Sequence, residues 1–137
     1  MESCLDDARA QGKSGVCMLG ARKQKGWLSD QAFARRYGFE TVDETENGYE
    51  LLALSFDGTK PRFAEGARRC VIEEQELAVF YDDQCPYIWQ SLEQVKKFCR
   101  ENDVPVSFIH VDTLEKAKRL PVCLTTGACF TEGNLRR

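Results

Sequence analysis

The run "LAVFYDDQCPYIWQSL" (77–92) holds the residues best suited to chemistry. A short apolar run stops at Asp82 and Asp83, Cys85-Pro86-Tyr87 follows, and a segment with helical spacing comes next. That order places Cys85 at the start of a helix. A thiol is nucleophilic as its thiolate, and the unpaired N–H groups and partial positive charge of a helix N-terminus lower a cysteine pKa. Pro86 suits the first helical turn, where its missing N–H would be unpaired in any case. Asp82 and Asp83 act in the opposite direction, because nearby carboxylates disfavour a thiolate. Two readings of Cys85 follow: an activated thiol, or a small apolar residue packed under a loop.

The remaining candidates are plainer. The chain has seven cysteines, an odd number scattered along 137 residues. Cys17, Cys99 and Cys129 sit inside apolar segments. A secreted disulfide scaffold would place its cysteines in the loops of a shorter chain, so the expected compartment is the reducing cytoplasm. With no Cys-x-x-Cys pair and a single histidine, His110, at the end of an apolar run, a zinc site is not expected and His110 reads as a strand residue. Net charge is −3 with acids and bases intermixed, which gives no electrostatic case for nucleic acid or anionic membranes. No apolar run approaches the ~20 residues of a membrane-spanning helix. The acidic start "MESCLDDARAQG" does not read as a signal peptide.

The elements that must position these residues fall in two halves. Met1, Cys4, Leu5 and Ala8 recur at helical spacing, with Gly12 as C-terminal cap. "GVCMLGA" (15–21) is a continuous apolar run, expected as a strand buried on both faces. Ser29 is expected to cap a short helix that ends at Gly38, with Phe39 folding back onto it. "FETVDETENGYELLALSF" predicts two strands around a tight Asn47-Gly48 turn with positive φ at both central residues. The polar stretch 57–69, with Gly and Pro, is expected to be a linker. Beyond it, "LAVFYD" predicts a strand, and the stripe Ile88, Leu92, Val95, Cys99 predicts a helix. "PVSFIHVD" predicts a second strand, and "TLEKAKRL" a helix capped by Asp112 or Thr113. "GACFTEGNLR" predicts a final strand and turn. The fold class is α/β in the broad sense (α+β), with domains at 1–63 and 64–137.

"FYDDQCPYIWQ" resembles the Cys-Pro-Tyr loop of thioredoxin-fold proteins, glutaredoxins especially, with Ile88 where a second cysteine or a serine is usual. The segment from Leu77 to Leu135 is more similar to the YoaP-like domain, a thioredoxin-fold module found behind a GNAT acetyltransferase domain. That resemblance rests on "FYDDQCPY", "VPVSFIHVD", "LEKAK" and "LTTGACFTEGN". It implies Cys85 as the working thiol, supported by Pro86 and Tyr87. It puts Thr125-Thr126 where thioredoxins carry their cis-proline loop, and leaves Cys123 or Cys129 as the resolving thiol.

The α-β-α-β-β order of the first half, with "RRYGFETVDE" between helix and hairpin, resembles the C-terminal half of GNAT acetyltransferases. For an intact member this implies acetyl-CoA. The family's Gly-rich pyrophosphate loop and substrate-groove strands would precede residue 1. Trp27 or Leu28, and Ala34, stand where many members have an asparagine and a general-acid tyrosine; Tyr37 is not equivalent to the latter. The expected activity is therefore that of an N-acetyltransferase whose coenzyme-binding half is truncated away or has degenerated, with no coenzyme bound by this chain alone. The expected partners are a second copy or that missing half. The alternative is a monothiol redox or peptide-binding module that uses Cys85.

Overall fold

The computed structural model describes residues 1–26, 28–73, 76–123 and 127–136. It is a mixed α/β structure with two sheets, and the chain divides into two compact units, Met1–Phe63 and Ala64–Arg137.

In the first unit the order is α1 (Glu2–Ala10), β1 (Gly15–Ala21), α2 (Gln31–Arg36), β2 (Glu40–Glu44) and β3 (Tyr49–Ser55). The sheet is antiparallel in the order β1-β3-β2. Its central strand β3 is buried from Tyr49 to Ala53. Val16 and Met18 of β1 and Leu52 and Leu54 of β3 face Leu5 of α1, Ala34 of α2 and Phe39. Period-two alternation puts Cys17 and Ala53, register partners, on the opposite face.

Several local expectations change. "GVCMLGA" is not buried on both faces: as the edge strand it is mostly half-exposed, and Cys17 is exposed. An edge strand has a partner on one side only, so an apolar run does not guarantee burial. The α2 cap is Asp30, whose carboxylate accepts from the Ala32 N–H at 2.8 Å, not Ser29. Asn47-Gly48 does not make a turn with two positive φ values; only Gly48 has one, at 82°. The Gly48 N–H bonds the Thr45 carbonyl and the Thr45 N–H bonds the Tyr49 carbonyl. That pattern is a type I turn closed by a left-handed glycine. Tyr49 N–H also donates to the Thr45 hydroxyl at 2.9 Å, which favours this longer loop.

The second unit contains α3 (Glu65–Arg69), β4 (Leu77–Tyr81), α4 (Ile88–Glu101), β5 (Val106–His110), α5 (Leu114–Lys118), β6 (Ala128–Thr131) and β7 (Asn134–Arg136). The stretch expected as linker thus ends in a helix, α3. The sheet order is β5-β4-β6-β7, with β4 parallel to β5 and antiparallel to β6. Thr113 caps α5, its hydroxyl accepting from the Lys116 N–H. Glu132 and Gly133 both have positive φ, 51° and 74°, so the two-residue turn expected at Asn47-Gly48 occurs here instead. Each face of β4 has its own core. Ala78 and Phe80 pack with Phe130, Leu120 and Val122; Leu77, Val79 and Tyr81 pack with Ile88 and Leu92 of α4.

Leu52 is fully buried, so Leu52→Ala should cost about 2–5 kcal/mol in urea unfolding. Cys17→Ser, on the exposed edge strand, should stay within about 0.5 kcal/mol of the parent. A Cys17→Ser loss as large as that of Leu52→Ala would contradict the edge position of β1.

Candidate functional site

Parallel strands β4 and β5 run out at the same end of the sheet, with Tyr81 and His110 as their last register pair. The Val111 N–H bonds the Tyr81 carbonyl at 2.8 Å and extends the pairing by one step. The loops that follow the two strands therefore leave side by side. One carries Asp82, Asp83 and Cys85; the other carries Asp112 and leads into α5. In open sheets with parallel strands, ligands bind at the carboxyl ends of the strands.

The Cys85 loop is held by two local bonds. Asp82 is buried; its Oδ1 accepts from the Gln84 N–H at 3.0 Å, while its Oδ2 has no hydrogen-bond partner among the described residues. The Cys85 carbonyl accepts from the Ile88 N–H at 3.1 Å. Cys85 is half-buried and packs against the Val79, Ile88 and Leu92 cluster that Tyr81 and Cys129 also join. One expectation is corrected here. Helix α4 opens at Ile88 with Tyr87 as its cap residue, so Pro86 lies in a turn before the helix and Cys85 is two residues outside the cap. Proline's fixed φ and the turn bond from Cys85 to Ile88 together delay the helix start. Cys85 thus lies outside the helix, three residues before its first residue, and its carbonyl rather than its thiol takes the Ile88 N–H. Tyr87 is 72% exposed and makes no cap bond. Thr125 and Thr126, like Trp27, lie outside the described residues.

A histidine read as an ordinary strand residue turns out to be the most connected side chain at this end. His110 Nε2 lies 2.9 Å from Asp83 Oδ2, and Nδ1 lies 3.9 Å from Asp112 Oδ2. The imidazole stacks on Tyr81 at 4.8 Å and 11°, and the Trp89 ring meets it edge-on at 6.1 Å. Lys116 Nζ donates to Asp112 Oδ1 at 2.6 Å and to the His110 carbonyl at 3.2 Å. That ammonium holds the Asp112 carboxyl below the usual carboxylate range. The signal that would have found this group is the repeated ending of the two strand runs. "FYDD" and "IHVD" each place an aromatic ring just before acids, and pairing them in parallel makes the rings meet.

Cys129 lies on β6 opposite Val79, on the same face as Cys85, and its burial pushes the thiol pKa up. A concavity of about 930 Å3 lies at the other end of β5, between Val104–Phe108 and Glu93, Lys96 and Arg100 of α4. None of the residues of the Cys85 loop line it, so volume and chemistry point to different places, and the chemistry is the stronger guide.

A coenzyme pyrophosphate requires unoccupied N–H groups at a helix start. Two of the described helix starts, those of α2 and α5, have an N–H already taken by a side chain. Asp30 already takes an N–H of α2, Thr113 takes one of α5, and α4 opens behind two aspartates.

No family model matches the chain, and no solved structure matches it. It is 27% identical over 135 residues to a Bacillus subtilis (strain 168) protein described as the uncharacterized N-acetyltransferase YoaP. The match covers 97% of this chain and 54% of that protein, so the chain spans about half the length of its relative.

Burial that raises the Cys129 pKa leaves less thiolate at any pH near neutrality. Exposed Cys17 should therefore react with iodoacetamide faster than Cys129 at pH 8, with buried Cys99 slower than Cys17 as well. Peptide mapping by mass spectrometry checks the order, and Cys129 labelling as fast as Cys17 would contradict it.

Proposed function

We propose that residues 1–63 are the part of a GNAT-type N-acetyltransferase fold that follows its coenzyme loop, and that residues 64–137 are an accessory thioredoxin-fold module bearing Cys85. The observation that carries this reading is the similarity to an N-acetyltransferase along nearly the whole chain. The first unit supports it with an α-β-α-β-β order and a sheet whose strand β1 pairs on one side only. Val16, Cys17, Met18 and Leu19 on that edge carry no charge to discourage a further strand. In an intact acetyltransferase, strands from the coenzyme-binding half would add there; in this chain alone, the same edge would join two copies. Acetyl-CoA belongs to the intact enzyme in this reading, because the family's Gly-rich phosphate loop has no counterpart in this sequence. The seven scattered cysteines fit a reducing, cytoplasmic setting, and no helix among the described residues is long and apolar enough to cross a membrane.

A second reading is favoured by one observation, the grouping of Tyr81, Asp83, Trp89 and His110 beside the Cys85 loop. In that reading the second unit is a monothiol or peptide-binding module, and Cys85 is the group that faces the ligand. Strand, cysteine loop and helix in a βαβ unit support it.

Calorimetry with acetyl-CoA tests the first reading. This chain alone should show no saturable micromolar binding. The same chain joined to the segment of the Bacillus relative outside the match should bind one acetyl-CoA per protein. A tight one-to-one complex with the chain alone, or none with the joined protein, would overturn the placement.

A further inference from the structure

His110 and Asp83 are 27 residues apart, and their contact ties the end of β5 to the Cys85 loop. Asp83 lies two residues before Cys85, so their Cα atoms are at most about 7 Å apart. Cys85 and Tyr81 pack on the same apolar cluster, and Tyr81 stacks on His110. The imidazole, the carboxylate and the thiol thus share one small region at the carboxyl ends of β4 and β5.

We infer that the His110–Asp83 pair is a proton-controlled clasp that sets the reactivity of Cys85. This rests on the reading of Cys85 as the ligand-facing thiol. With the imidazole protonated, His110 and Asp83 form an ion pair, and the positive ring offsets the carboxylate charge that a thiolate at Cys85 would otherwise meet. With the imidazole neutral, the bond persists without that charge, and Asp83 opposes ionisation of the thiol. Proton-controlled switches are a recurrent use of histidine in proteins.

Each element packed against the imidazole presents a group to it. Asp83 comes from the Cys85 loop, Asp112 from the end of β5, Tyr81 from β4 and the non-titrating Trp89 from α4. Lys116 of α5 bonds the His110 carbonyl and Asp112. Lys116 therefore answers the charge of Asp112, and Asp83 is the carboxylate left for the ring to answer. The deprotonation is a simple transfer: the thiol proton leaves to solvent, and the sulfur keeps its electron pair as thiolate.

The test is the rate of Cys85 alkylation by iodoacetamide, mapped by mass spectrometry at pH 6 and pH 8, with Cys17 as internal reference. His110→Gln keeps a donor for Asp83 but does not titrate. It should slow Cys85 labelling at pH 6 by about threefold or more relative to the parent, the effect of removing one nearby positive charge. At pH 8 the two proteins should label at the same rate. Asp83→Asn, which keeps an acceptor for the ring and removes the negative charge, should speed labelling at pH 8 by about twofold or more. A merely structural role for His110 would be rescued by glutamine at both pH values. If both variants follow the parent at both pH values while Cys85 still outpaces Cys17, the clasp is refuted and the thiol reading survives. If parent Cys85 labels no faster than Cys17 at either pH, both are refuted.

Discussion

The parallel pairing of β4 with β5 is the constraint on which the second unit depends. Parallel neighbours need a crossover rather than a tight turn, and α4 is that crossover. Once the two strands run the same way, their carboxyl ends must lie together. Tyr81 and His110 become register partners, and the residues after them leave from one edge of the sheet. Everything chemical at this end follows: the aromatic stack, the Asp83–His110 bond and the position of Cys85 before α4. An antiparallel pairing of the same two segments would separate Tyr81 from His110 by the length of a strand.

The two faces of β4 divide the work. One face packs Ala78 and Phe80 on the fully buried Phe130, with Leu120 and Val122 in the same apolar cluster. The other seats α4 through Ile88 and Leu92 and ends at Tyr81, whose ring bridges core and site. The site is thus an extension of a core cluster. Asp82 and Asp83 show the same division at smaller scale. Asp82 is buried and stabilises its own loop through the Gln84 N–H, whereas Asp83 is exposed and reaches the histidine on the next strand.

Much of this was legible in the sequence because it depends on local pattern. The period of Ile88, Leu92, Val95 and Cys99 places α4, and its buried residues are Ile88, Leu92 and Cys99. The apolar run "LAVFYD" places β4 and the alternating run "PVSFIHVD" places β5, and the order of elements follows from punctuation by Gly and by polar stretches, except that α3 lies inside the stretch expected as linker. What was not legible depends on contacts between distant segments. Whether "GVCMLGA" lies inside or at the edge of its sheet is a property of strand order, which its own residues do not encode. The turn type at Asn47-Gly48 was decided by the Thr45 hydroxyl, two residues outside the dipeptide. His110 is ordinary by sequence and central by pairing. The helix start at Ile88 rather than Cys85 follows from the turn that Pro86 imposes, a displacement too short for periodicity to register.

The central claim is that β4 and β5 bring Tyr81, Trp89 and His110 into one ring cluster beside the Cys85 loop. Nuclear Overhauser spectroscopy on isotopically labelled protein reads this contact directly. The account predicts cross-peaks from the His110 ring protons to the Tyr81 ring and to the Trp89 indole. A His110 ring with cross-peaks to neither aromatic side chain would contradict the parallel register, and with it the site.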